Sequence, residues 1–322
     1  MRILVNNIHS TNSTSLVILL KRITTIPLEI IGSDPEPLGY TAASTFVDKY
    51  FQAPAIEDTE AFTDFLQNIC TSEKIDLIIP SSDKEVRYWA FYATQFPTKV
   101  FVPNKEIVSL FCDKLEATNA VKSVGINTPK IIDNLFTNDL GKVIFRKRVS
   151  VSSQGINIVD FQTEKSIPNH FSEDWFAQEY IEGTEYAVDV FCDKSGTPKI
   201  IIPKRKLEMR AGATFRSQLV NRPDIIDACQ RIYQEFTIPG FSDVEFIEAN
   251  GKLYFIEINL RMSASAICGI IGSFNYVEQY LEHFYYNRPL QDSSVYMNCI
   301  CWDSIVTRYY EDVIHLSSKG KS

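Results

Sequence analysis

The run Gly240-Phe-Ser-Asp-Val-Glu-Phe-Ile-Glu-Ala-Asn-Gly-Lys-Leu-Tyr-Phe-Ile-Glu-Ile-Asn-Leu-Arg-Met-Ser-Ala-Ser265 constrains the fold more than any other stretch of the chain. Two apolar-rich segments, Val244 to Glu248 and Leu253 to Leu260, flank Asn250-Gly251, the local signature of a β-hairpin. Side chains alternate faces along a strand, so Glu257, Asn259 and Arg261 share one side. A two-residue Asn-Gly turn would pair Val244 with Glu257 and send Glu245 to the opposite face. A three-residue loop from Ala249 to Gly251, with Gly251 left-handed, makes Glu245 a same-face diagonal neighbour of Glu257, roughly 7 Å away between β-carbons. The three-residue register is the one expected.

Glu245, Glu257 and Asn259 then converge as three hard oxygen ligands, a set suited to Mg2+ (or Mn2+) that draws its remaining ligands from water and phosphate. The plain alternative is a solvated strand face. In the expected register Ile247, Leu253 and Phe255 lie on the side of Glu245, so the carboxylates would be partly desolvated and need cations. Glu245-Phe246 together with Glu257-Ile258-Asn259-Leu260-Arg261 resembles the metal-binding strands of the ATP-grasp family, most closely its branch with the carbamoyl-phosphate synthetase large chain and the carboxylate-amine ligases. In that family the first position is Glu or Gln, and the second motif usually has Pro where this chain has Leu260.

The chain has 322 residues, 45% hydrophobic and 22% charged, enough for two or three subdomains. Its net charge of −8 argues against a nucleic-acid partner, because phosphate contacts need a basic face. No apolar segment approaches the ~20 residues that span a bilayer, and Met1 is followed at once by the strand-like Arg2 to Val5, so a cytoplasmic protein without membrane partners is expected. The seven cysteines are scattered without a C-x-x-C pair, which speaks against disulfides and zinc. His9, His170, His283 and His315 show no metal spacing and read as structural.

Arg2 to Val5, Leu28 to Ile31, Ile75 to Pro80 and Val100 to Val102 are short apolar runs separated by helical stretches, the pattern of a parallel α/β sheet. After the first run comes Asn6-Asn7-Ile8-His9-Ser10-Thr11-Asn12, with no glycine where a dinucleotide fold needs several, which excludes a working NAD site despite Asp34. The resemblance implies that this glycine-poor domain helps to hold the acceptor substrate. Asp83 and Glu85 after the third run fit an amino group. Ser82-x-x-Glu85 is equally a capping box that needs no ligand, and the two readings stand level.

Leu110 through Gly125 reads as one helix, with Pro129 beyond its end. Asp113-Lys114 and the later Gly125-Ile-Asn-Thr-Pro129 are similar to the opening of the family's nucleotide domain, which implies that Lys114 reaches the phosphates. Val143 to Arg148 is a strand carrying Arg146 and Arg148 on one face. It leads into a serine-rich loop in which Ser152, Ser153 and the single Gly155 replace the family's usual glycines; serine amides and hydroxyls still donate to phosphate. Trp175 to Tyr186 resembles the adenine hinge, so Glu179, Tyr180 and Ile181 would read the adenine edge and Glu185 the ribose. From the cationic stretch after Pro203, Lys206 and Arg216 are the choices for phosphate. Tyr276 to Tyr285 reads as a helix, Val295 to Trp302 as a strand, and the end from Leu316 as frayed.

The fold expected is α/β: a Rossmann-like parallel sheet over 1–105, then an ATP-grasp domain over 106–290 of two α+β subdomains (about 113–177 and 178–290), then a strand and tail over 291–322. The resemblance implies an ADP-forming carboxylate-amine ligase that uses ATP and Mg2+, with Arg261 and Arg216 catalytic. Its partners would be small carboxylates and amines, amino acids or a peptide among them, and a homodimer is admitted. The alternative is a degenerate ATP-binding sensor or scaffold, supported only by the serine-rich loop.

Overall fold

The computed structural model describes residues 1–135, 140–150, 155–163, 171–210 and 212–315. Ser152, Ser153, His170 and the terminal run 316–322 lie outside these. Three sheets organise the described residues. The first is a five-stranded parallel sheet of β1 (Arg2–Val5), β2 (Glu29–Asp34), β3 (Lys49–Gln52), β4 (Leu77–Ile78) and β5 (Lys99–Val100), in the order β3-β2-β1-β4-β5. Ile3, Leu4, Val5, Ile30 and Ile31 are fully buried, as strands covered on both faces require. Helices Thr11–Lys21 and Asp83–Tyr92 start at Ser10 and Ser82, whose hydroxyls accept from the Ser13 and Glu85 amides.

The second sheet is small and antiparallel, with β6 (Lys142–Lys147) between β7 (Ile156–Asp160) and β8 (Trp175–Glu179). The third is the six-stranded order β13-β12-β9-β10-β11-β14, formed by β9 (Thr184–Cys192), β10 (Pro198–Arg210), β11 (Ala213–Leu219), β12 (Gly240–Ala249), β13 (Lys252–Asn259) and β14 (Ile305–Thr307). Among the described residues no helix is long and apolar enough to cross a membrane.

Three local expectations are corrected. The helix expected across 110–125 is two, Lys105–Cys112 and Lys114–Ser123, broken at Asp113, whose carboxylate accepts from the Leu115 and Glu116 amides and so starts the second. The strand expected over 295–302 is instead the short helix Ser293–Met297, capped by Asp292; the last strand comes later, on the β11 edge.

The third correction concerns the hairpin. Its turn is the two-residue one: Ala249 pairs with Lys252, and Asn250 and Gly251 both take positive φ, +52° and +71°, as a type I′ turn requires. That register alone would separate the carboxylates. A β-bulge between the Phe246–Phe255 and Glu245–Glu257 pairs inserts Ile256 and restores the match, so Glu245 stands directly opposite Glu257. Leu253 and Phe255 accordingly lie with Phe246 in the core, not on the carboxylate side. Val244, Phe246, Phe255 and Ile258 are 4% exposed or less, each contributing roughly 1.5–3 kcal/mol of burial, and a one-residue slip would trade them for the carboxylates.

Candidate active site

One cleft of about 810 Å3 runs from the C-terminal ends of the parallel strands across the third sheet to the small sheet. Loops after parallel strands are where open α/β sheets present ligand-binding groups. Here they bring Asn6, His9, Asp34, Asp83 and Glu85 to the cleft. Glu245, Glu257, Asn259 and Arg261 line its floor, with Lys114, Arg146 and Lys206 around them.

Glu257 and Glu245 are each held by cations. Arg146, buried at the end of β6, donates from Nη2 to Glu257 Oε2 at 2.7 Å and from Nη1 to the Ile256 carbonyl at 3.0 Å, so it holds the bulge as well as the charge. Lys114 Nζ lies 3.7 Å from the same carboxylate oxygen and donates to the Ser150 carbonyl. Burial alone would raise the Glu257 carboxyl; Lys114 and Arg146, helped by Asn259 and Lys206, outweigh it and hold it below the usual carboxylate value. Lys206, its side chain 8% exposed, donates to Glu245 at 2.9 Å and to Glu185 at 3.2 Å. Burial pulls its ammonium down, but Glu245 and then Glu185 more than reverse this, so it stays charged.

Asn259 donates from Nδ2 to Glu257 Oε1 at 3.4 Å, which leaves its carbonyl oxygen as the acceptor. Two carboxylates and an amide oxygen suit a hard divalent cation. Among the described residues no three His, Cys, Asp or Glu side chains form a cage for such an ion. The protein would therefore hold part of the ion's shell and leave the rest to other oxygens, as Mg2+ beside phosphates requires.

At the other end of the cleft lie Glu179, Tyr180 and Ile181. The Glu179 amide donates to the Lys130 carbonyl and the Tyr180 amide to the Lys142 carbonyl, so Ile181 is the remaining amide of the three for a ligand edge. Glu185 reaches the same cleft, half exposed.

Three predicted residues are not brought there. Arg148 points to Asp113 (2.7 Å) and Glu116 (3.1 Å) on the neighbouring helix, although Arg146 two residues earlier points to Glu257. Arg216, on β11, pairs with Glu208 at 3.2 Å and with the Thr307 hydroxyl, at the sheet edge. Gly155 is left-handed (φ +77°), and its carbonyl accepts from the Lys147 amide.

Other residues the motifs did not flag do line the cleft. His9 Nδ1 meets the fully buried Asp34 carboxylate at 2.9 Å. Asp243 is on the floor, 4% exposed, opposite Asn259 on one side and Asp189 on the other; burial, and then Glu245 alongside, push its carboxyl up to about 7. Its signal was in the sequence, since Asp243 is two residues before Glu245 and a strand repeats every two. Arg261 reaches across to Asp83, Nη2 to Oδ2 at 3.3 Å, tying the floor to the first helix turn of the parallel-sheet domain.

Comparison with known proteins agrees with this architecture. Residues 111–265 match the ATP-grasp domain family, and residues 10–101 match the PylC-like N-terminal domain. The D-alanine–D-alanine ligase of Flavobacterium psychrophilum is 28% identical over 164 residues, 45% of this chain and 50% of that ligase. The chain thus spans about half the length of the curated relative it matches. Two solved structures share the fold. The L-amino acid ligase of Bacillus licheniformis superposes with a TM-score of 0.68 at 15% identity over 93% of this chain and 77% of that one. The biotin carboxylase domain of the Hydrogenobacter thermophilus 2-oxoglutarate carboxylase, in complex with MgADP and bicarbonate, gives 0.68 at 14% identity over 90% and 70%. Residues 111–265 therefore form an ATP-grasp domain, preceded by a PylC-like N-terminal domain over residues 10–101.

Proposed function

We propose that the protein is an ADP-forming ligase that joins a small carboxylate to an amine, amino acids being the first class to try. The observation that carries this reading is the meeting of Glu245 and Glu257 across the hairpin, with Lys114, Arg146 and Lys206 gathered around them in one cleft that also reaches the parallel-sheet domain. A substrate carboxylate oxygen attacks the γ-phosphorus of ATP, the bond to the β,γ-bridging oxygen breaks, and ADP leaves. The amine nitrogen then attacks the acyl carbon; phosphate departs with the C–O electron pair and takes up the proton the nitrogen loses.

Such chemistry needs positioning and charge neutralisation more than a protein nucleophile. Lys114, Arg146 and Lys206 are the cations for the triphosphate, and releasing them from Glu257 and Glu245 is matched by the incoming phosphates. Glu245, Glu257 and Asn259 would hold Mg2+, which when bound neutralises phosphate charge. Ile181 and Glu185 would take adenine and ribose, and Arg261 would steady the transferred group.

The test is ADP release with pooled amino acids, with hydroxylamine present to trap an acyl phosphate as hydroxamate. The expected result is substrate-dependent ADP together with hydroxamate. Tight ATP binding with neither product across broad carboxylate pools would sink the ligase reading.

A further inference from the structure

Two side chains on the cleft floor each carry a buried polar atom with no hydrogen-bond partner among the described residues: Asp243 Oδ1 and Arg261 Nε. The surroundings explain why Asp243 is left over. Across β9 stands Asp189, which takes the nearby donors: Lys204 Nζ at 2.5 Å, the Tyr276 hydroxyl at 3.0 Å and the Ser263 hydroxyl at 3.4 Å. Lys204, itself fully buried, also donates to the Ser265 hydroxyl. Glu245, next along the same face, has Lys206, and Arg261 gives Nη2 to Asp83. Asp243, 4% exposed, is therefore the floor carboxylate with an oxygen that no described protein group meets. A buried polar atom in that state is costly and rare, and an incoming ligand that brings the donor explains its persistence.

We propose that Asp243 binds the amino group of the nucleophile, making the corner it shares with Ser263 and Ser265 the amine subsite of the cleft. The inference rests on the ligase reading above. A primary amine carries several N–H donors in a compact head, matching a carboxylate oxygen that lacks a donor. Phosphate oxygens are acceptors and would be repelled. A second divalent cation would have to sit beside the buried Lys204 ammonium, which donates to Asp189 opposite Asp243. Arg261 Nε, the unmet donor, calls for an oxygen. The two atoms thus sort an acyl oxygen and an amine into adjoining places, the arrangement that proximity catalysis exploits.

Asp243→Asn tests this, because it keeps the size and removes the charge. With ATP and the twenty amino acids as the panel, hydroxamate formed with hydroxylamine, a small neutral nucleophile, reports acylation alone; amide product reports acylation and amine capture. The expected result is a KM for the amine raised about tenfold or more, the order for removing one partner of a buried charged contact, with the KM for ATP, the Mg2+ half-saturation and the hydroxamate rate each moved far less. An unchanged amine KM overturns the proposal. So does a matching shift in Mg2+ half-saturation, which would make Asp243 a metal ligand, or a parallel fall of hydroxamate and amide. Asp243→Ser is the second variant; if neither folds by circular dichroism, Asp243 is structural and the proposal falls. Wild-type protein that yields no hydroxamate with any carboxylate refutes the ligase reading itself, and the amine subsite with it.

Discussion

Glu85 and Asp243 are both buried carboxylates lining one cleft, yet their surroundings differ in kind. Glu85, 1% exposed, accepts from Asn6 Nδ2 at 3.0 Å and from the Ser81 amide, Ser81 hydroxyl and Ser82 hydroxyl, each at 3.1 Å. Its own amide donates to Ser82, so it closes the start of helix Asp83–Tyr92 and ties it to the loop after β1. Asp243 has an oxygen that nothing among the described residues meets. Burial of a carboxylate is therefore a poor mark of a binding site; unmet hydrogen-bonding capacity is a better one. Of the two roles the sequence allowed for Ser82-x-x-Glu85, the bonds Glu85 makes serve the helix start and its tie to the loop after β1.

The contrast predicts that floor residues move catalysis and mouth residues move stability. The largest effect is expected at Glu257→Gln, which removes a charge from the proposed metal site: turnover should fall by about a thousandfold or more with the urea midpoint nearly unchanged. Turnover within a few-fold of wild type would remove Glu257 from the proposed metal site.

Glu85→Gln should do the reverse, costing about 1–3 kcal/mol of stability while leaving the KM for ATP in place, because it strands donors that now share two oxygens. Its pH dependence sharpens the point. Burial, only partly offset by Asn6 and the serines, raises the Glu85 carboxyl above its ordinary 4.5. The folded protein then holds this proton more tightly than the unfolded chain does. The resulting stability is full below 4.5 and declines as pH rises through the folded value. Glu85→Gln lacks that decline, so the gap between wild type and variant should narrow from pH 4.5 upward in urea titrations; a widening gap would contradict the assignment.

Next in size, Gly251→Val should cost about 1–2 kcal/mol by forcing a β-branched residue into a left-handed turn position, and activity should be retained once the protein is folded, since the bulge at Ile256 sets the carboxylate match. The smallest effects belong to Arg148→Ala and Arg216→Ala. Each removes a partly exposed ion pair, worth under about 1 kcal/mol, and neither residue lines the cleft. A large rise in the KM for ATP in either variant would show that the side chain swings into the site when nucleotide binds.

Much of the floor was legible because its rules are local. Period-two alternation put Glu257 and Asn259 together, and Asn250-Gly251 marked the hairpin. The route to the Glu245–Glu257 match was not legible. A bulge is chosen by what each face of the sheet buries against its neighbours, and no local pattern around Ile256 announces it. Arg148 shows the same limit. Alternation placed it beside Arg146, but Asp113, contributed by a helix start 35 residues earlier, captured its guanidinium. The run 295–302 is apolar enough for a strand, and Asp292 capping the Ser294 amide made a helix of its first part.

The amino-acid order by itself determined which groups the chain offers: hard oxygens on adjacent strands, a set of cations, and a glycine-poor parallel domain ahead of them, all fixed by residue type and short-range periodicity. Only the tertiary structure decided which charges meet. Lys206 reaches Glu245 from 39 residues away and Arg146 reaches Glu257 from 111, while Asp189 takes the donors that would otherwise serve Asp243. Pairing of that kind depends on how separate elements pack, because a charge in a low-dielectric interior is settled by whatever lies within a few ångströms of it, however distant in the chain.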